Sequence, residues 1–260
     1  MSVACGCAGL PDWTDARAYQ RLIGAERPAF AWEWLRRDAL YREQALEAVE
    51  RRRGGEVDED NGALRWHLHA FTDPRLSFAD ARPVWAAPLH RWVVPARARL
   101  GAAGGDCFEL ARFGHVATLL VSGAVQRLLL SDGWRSIRLD VTGARLAEAP
   151  VGLAYEVSGI AALEPALLVL QRLRALALTG RFAAALHPPF RRAPRLVTLL
   201  RAFDGLGAGA SHGDLAAVVI SPRLERQRWR VHSPSARSHA QRLARTARAM
   251  AAGGFWQLLG

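Results

Sequence analysis

The chain contains no lysine; all 35 of its basic residues are arginine. A GC-rich coding sequence accounts for that choice, as it does for the abundant alanine and glycine. Arginine as a residue type therefore says little, and its placement says more. Cysteine is scarce as well. Cys5, Cys7 and Cys107 are odd in number and spaced unlike a disulfide framework, which fits a reducing compartment. Cys5-Gly-Cys7 has no second pair at ligand spacing, so no metal is expected. No window approaches the roughly 18 to 20 uninterrupted apolar residues of a membrane span, because arginine, glutamate or proline breaks each one. The opening MSVACGCAGLPDW has neither the basic region nor the apolar stretch of a signal peptide. These absences lead to the expectation of a cytoplasmic protein with no membrane partner.

Catalytic signatures are also missing. The glycines at 101–105 follow no strand and lack the Lys-Ser/Thr pair that grips phosphate. His67-Leu68-His69 places two imidazoles on one side of an extended segment, but no carboxylate or cysteine motif accompanies them. Ser211-His212-Gly213-Asp214 has the residue types of a triad. Triad members meet in space and are rarely contiguous, and helix capping explains this run better. No enzyme and no cofactor are expected.

What is present begins with a core. Half of the residues are hydrophobic and 23% are charged, enough apolar surface to fold. Charge is divided unevenly. Residues 1–180 hold 22 arginines against 21 acidic residues, whereas 181–260 hold 13 arginines against Asp204, Asp214 and Glu225. Nearly all of the net charge of +11 thus sits in the last third, which points to a polyanionic partner.

Periodicity divides the chain into three parts. Residues 1–62 read as an N-terminal helical module, helical from about Asp15 to Arg53, with RRRGGEVDEDNG at 51–62 as a charged break. Trp32, Trp34, Trp85 and Trp92 read as core or interface anchors. In the connector and sheet region, 63–157, the part from 63 to 100 reads as loop with short extended pieces. HVATLLV, VQRLLL, WRSIRLDV and VGLAYEV then read as a small antiparallel β-meander. Residues 158–260 read as a helix-turn-helix-like helical domain. One helix starts at Glu164-Pro165 and stops at Gly180, and a second covers 195–206. A third begins at Ser211, where Asp214 is a short and imperfect capping-box partner; Leu215, Val218 and Val219 form its apolar face. The fold class is α+β.

The last helix, with Ser233 as N-cap and Pro234 at its first position, separates into two faces. Ala236, Ala240, Leu243, Ala247 and Met250 form an apolar stripe. Arg237, Gln241, Arg245 and Arg248 fall on another face, flanked by Ser238 and Arg242. Arginine can pair with guanine O6 and N7, and glutamine with adenine N6 and N7. Arg237, Ser238, Gln241, Arg242 and Arg245 are therefore the candidates for reading bases. Arg223, Arg226, Arg228, Arg230, Arg248, Ser211 and His212 are the candidates for phosphate contacts. The apolar face is too poor in large side chains for a membrane-surface helix. No aromatic platform suggests RNA.

Three stretches together resemble a known family: LAYEVSGIAALEPALLVLQRLRALALTGRF, RAFDGLGAGASHGDLAAVVI and RQRWRVHSPSARSHAQRLARTARAMAAGGFWQLL. They are similar to the RovC-type DNA-binding domain of activators of type VI secretion genes and of excision in integrative elements. DWTDARAYQRL and AWEWLRRDALYRE resemble the transcriptional-regulator-like domain found before it. The resemblance implies a sequence-specific regulator of double-stranded DNA that forms homo-oligomers and places Arg237, Ser238, Arg242 and Arg245 in its recognition helix. The N-terminal module is expected to serve regulation or self-association, with a regulatory protein as its partner. The competing expectation is an adaptor or antiactivator whose basic C-terminal face binds an acidic protein.

Overall fold

The computed structural model describes residues 9–53, 61–87, 89–101, 107–220 and 234–260. The chain packs into two compact units that do not follow chain order. One comprises Met1–Glu47, Asp73–Ser77 and Pro189–Leu258, and the other Ala48–Thr72, Phe78–Pro188 and Leu259–Gly260.

The first unit is helical. Asp15 opens a 3-10 helix, Ala16–Gly24, by accepting the Arg17 N–H at 2.8 Å. Next come α1 (Arg27–Leu35), whose Phe30, Trp32, Trp34 and Leu35 are all buried, and α2 (Ala39–Arg53), which reaches the boundary of the unit at Glu47. The break read at 51–62 falls mostly on 54–60, outside the described residues, as does Cys5-Gly-Cys7. From the other end of the chain come α5 (Ala193–Gly207), α6 (His212–Leu215) with a π-turn over Ala216–Ile220, α7 (Pro234–Ala251) and a 3-10 turn at Gly254–Leu258. Trp34 meets Phe203 edge-on at 5.4 Å, and Phe30 lies 6.4 Å from Phe190. The tryptophans of α1 are thus core residues.

The second unit contains a short helix, α3 (Phe78–Ala81), a longer one, α4 (Leu163–Thr179), and a six-stranded sheet. Its strands are β1 (Val93–Arg99), β2 (Cys107–Phe108), β3 (Ala117–Ser122), β4 (Val125–Ser131), β5 (Ser136–Gly143) and β6 (Val151–Tyr155), in the order β2-β6-β1-β5-β4-β3. Three of the four runs expected to form an antiparallel meander do so, as β3-β4-β5, whereas VGLAYEV forms β6, which pairs with β1 and β2 instead. The whole sheet is larger and mixed, because β1 pairs parallel with β5 and antiparallel with β6. β1 lies in the stretch read from sequence as loop with short extended pieces. Pro95 interrupts its apolar run, and a parallel partner far along the chain leaves no local turn signal.

The sheet alternates as the pleat requires. Val94, Ala96, Ala98, Leu128, Leu130, Leu139 and Val141 share one face and are buried with Val169, Leu173 and Leu176 of α4. Ala96 and Ala98 are small enough for the helix to lie close to β1. Gly180 stops α4 in a left-handed conformation at φ 67°, its N–H donating to the Leu176 carbonyl at 2.8 Å.

The opposite face carries a cluster of charged residues beside Leu129. Arg127 on β4 sits across from Asp140 on β5. Arg138, 1% exposed, brings Nη1 within 2.7 Å of Asp140 Oδ1. His69 lies in the field of these three residues. Burial, then Arg127 and Arg138, push its imidazole down to about 4, with Asp140 opposing. An unfolded chain would take up that proton near the ordinary value of 6.5. Between those two values the unfolded state binds more protons, so stability is expected to fall as pH drops through that window. Thermal melts at pH 7 and pH 5 test this: the drop in Tm should shrink in His69→Gln. An undiminished drop would assign the acid sensitivity to other groups.

Candidate nucleic-acid interface

Helices α5, α6 and α7 pack against one another within the helical unit. The turn into α6 is held by Ser211. Its Oγ accepts the Asp214 N–H at 3.2 Å, and Asp214 Oδ2 accepts the Ser211 N–H at 3.0 Å and lies 2.7 Å from Ser211 Oγ. Both arms of the capping box are therefore made. The shorter aspartate suffices because it takes the cap N–H directly. Leu215 is fully buried, with Val218 and Val219 partly so.

Gly205 sets how closely these parts approach. A Cβ at this position would stand 2.9 Å from the Trp13 ring and 3.0 Å from Leu215 Cδ2. Gly205→Val is accordingly expected to cost about 1–3 kcal/mol through overpacking. Urea denaturation followed by circular dichroism measures it, and an unchanged midpoint would mean that Trp13 yields freely.

On α7 the sequence-derived faces hold. Ala240, Ala244 and Ala247 are fully buried, Ala236 and Leu243 nearly so, and Met250 is half-buried. Alanine on this seam lets the helix sit close to α5 and α6. Arg237, Ser238, Gln241, Arg242, Arg245 and Arg248 are all exposed. At about 100° per residue, Ser238 and Arg245 lie about 20° apart at the centre of the solvent face. Gln241 and Arg242 flank them, while Arg237 and Arg248 project along one margin. Arg237 to Arg248 spans about 16 Å of helix, a reach suited to a groove. No acidic residue occurs anywhere from 234 to 260. Arg237 stands in the first turn, where the helix dipole disfavours a cation. Helix stability therefore does not explain this charge pattern.

The remaining candidates divide in two. Ser211 is exposed and His212 half-buried at the start of α6. Arg223, Arg226, Arg228 and Arg230, like the cap residue Ser233, lie outside the described residues. Among the described residues no group of three or more His, Cys, Asp or Glu is placed to hold a metal ion. No helix among them is long and apolar enough to cross a membrane.

Sequence reasoning missed the polar centre of this unit. No role was read from the sequence for Glu33, Arg36 or Arg37, yet all three are buried. Arg37 grips Asp204 of α5 bidentately, with Nε–Oδ1 and Nη2–Oδ2 both at 2.7 Å. Arg37 Nη1 and Arg36 Nε reach Glu33 Oε2 at 2.8 and 2.7 Å. The Tyr19 hydroxyl donates to Asp204 Oδ2 at 2.5 Å. Two cations and two anions balance. Burial works to raise the Glu33 carboxyl, but Arg37 and Arg36 outweigh it and hold it below its ordinary value. Burial and Asp204 push the Tyr19 phenol far up, so it stays a donor. The available signal was a glutamate between two tryptophans on a helix apolar all round.

Residues 158–260 match the family model described as a type VI secretion system transcription factor, DNA-binding domain, of the RovC type. Residues 12–69 match the proteobacterial transcriptional regulator-like domain. The resemblance seen at both ends of the sequence is thus borne out. No curated protein matches the chain. Both matched families are regulatory or DNA-binding families and not enzymes. Together they support a transcriptional regulator with DNA as its partner. The C-terminal match includes α4, which packs in the sheet unit.

Proposed function

With a DNA-binding domain at one end of the chain and a regulator-like domain at the other, we propose a cytoplasmic transcriptional activator that reads the major groove with α7. Arg237, Ser238, Gln241, Arg242 and Arg245 are assigned to base edges. Arg248, His212 and Ser211 are assigned to phosphates, together with Arg223, Arg226, Arg228 and Arg230 from outside the described residues. One observation carries this reading: α7 presents four arginines, a glutamine and a serine to solvent, with no acidic residue from 234 to 260. Arginine and glutamine are the side chains that can read guanine and adenine bidentately in the major groove. Self-association would place two such helices on one duplex and raise affinity through effective concentration. The regulated genes are proposed to be of the type VI secretion or integrative-element class, following the family resemblance.

The test is a fluorescence-anisotropy titration against DNA upstream of the protein's own gene and its neighbours, with random duplex beside it at two salt concentrations. Tight binding that prefers one promoter and weakens steeply with salt supports the reading. Binding that ignores sequence, or none, overturns it and moves the basic third to an acidic protein partner.

A further inference from the structure

A groove of about 940 Å³ runs along the sheet unit between β6 and α4. Its floor is apolar, formed by Phe108, Phe113, Leu153, Leu170 and Leu173. Phe108 and Phe113 stack there with ring centroids 5.2 Å apart. Leu100 and Leu178 stand at its rim, each 69% exposed. Arg99, Arg112 and Arg174 line the same groove, and among the described residues no aspartate or glutamate lines it. Among the described residues none of the three has a side-chain hydrogen-bond or ion-pair partner, although two other arginines in this unit, Arg97 and Arg135, pair with Glu156 and Asp132.

We propose that this groove binds an anionic amphiphile, a single-chain carboxylate whose head is gripped by the arginines and whose tail lies on the phenylalanine and leucine floor. Charge complementarity selects the class. Three cations that have no acidic partner among the described residues, set beside apolar surface, give a neutral ligand no use for the charge and give a simple anion no use for the floor. A planar carboxylate matches the guanidinium fork, and its hydrocarbon chain excludes water from the leucines. The volume falls in the range of small-molecule sites. The site lies wholly in the sheet unit and uses none of the α7 residues, so it stands or falls independently of DNA reading.

Cys107, half-buried and lining the groove, supplies the readout. In full-length protein carrying Cys5→Ser and Cys7→Ser, its alkylation by neutral iodoacetamide is followed against decanoate, decanol and decyltrimethylammonium below their micellar concentrations. Decanoate should protect saturably, decanol weakly and the cation not at all. Each CH₂ added from hexanoate to decanoate should tighten binding by up to about fourfold. Arg112→Gln/Arg174→Gln should weaken decanoate about tenfold or more while leaving decanol unchanged. Both arginines are exposed, and a thermal melt confirms that the variant folds. Equal protection by acid and alcohol, or none by either, overturns the proposal. Co-sedimentation with phosphatidylglycerol vesicles without saturable decanoate protection overturns it too, assigning the groove to a lipid surface. Self-association abolished by Leu178→Asp, again without decanoate protection, assigns it to a second copy of the chain.

Discussion

Asp204→Ala is expected to lower the unfolding free energy by about 3–5 kcal/mol, because it leaves Arg37 buried with half its partners gone. The Arg37 side chain is 1% exposed and that of Asp204 6%, so water cannot replace the lost oxygens. Two further effects add to this. Tyr19 loses its carboxylate acceptor and keeps only the Pro11 carbonyl at 3.2 Å, and Glu33 is left as the sole counter-charge for two arginines. A typical domain has about 5–15 kcal/mol in all, so the variant should be close to unfolding at ordinary temperature. Arg37→Leu/Asp204→Leu should recover much of the loss, because apolar replacement of both partners removes the uncompensated charge. Urea denaturation with circular dichroism and tryptophan fluorescence measures both variants. A loss under about 1 kcal/mol for Asp204→Ala would mean that water reaches the pair and that its burial is not maintained in solution.

Alanine at the centre of the α7 solvent face should affect binding in a different way from alanine at its margin. Arg245→Ala removes the arginine nearest the middle of that face. It should weaken promoter DNA by about 1–3 kcal/mol, roughly 5- to 150-fold, and leave random duplex nearly untouched, so the preference collapses. Arg248 lies toward one margin and, unlike Arg237 at the other end of that margin, sits beyond the last position assigned to bases. Arg248→Ala should weaken promoter and random duplex alike and lower the salt slope by about one unit, the signature of a lost phosphate contact. Both side chains are exposed, so folding is expected to survive either change. If the two variants behaved identically in promoter preference and salt slope, the division into base and phosphate contacts would be wrong, even with DNA confirmed as the ligand.

Much of the local structure was legible in the residues. Glu164-Pro165 and Gly180 mark the ends of α4 to within a residue, because proline fits a first turn and glycine a left-handed cap. The meander followed from short apolar runs between glycine-bearing turns, and the two faces of α7 from spacing alone. Illegible features were those that depend on distant partners. β1 acquires its strand identity from β5, and its Pro95 argues locally against a strand. The Arg37–Asp204 pair joins positions 167 apart in sequence. The arginine at 37 looks no different from the exposed ones at 51 to 53 until its partner is known. For the candidate site, the α7 face was readable because it depends on one helix. The groove over β6 was not, because its three arginines come from β1, a 3-10 turn and α4.

The helical unit draws on both ends of the chain, and this has a consequence during translation. A ribosome adds about 5–20 residues per second, so Asp204 is joined to the chain roughly 8–33 s after Arg37. Once past the tunnel, Trp32 and Trp34 of α1 and the two arginines that follow it wait through the rest of that interval with their lasting partners unmade. The stretch from Phe78 to Pro188 is synthesised meanwhile and can condense around its sheet. Nascent α1 is therefore the natural client for a holding chaperone. Slowing synthesis after residue 60 should raise aggregation more than slowing it after residue 200.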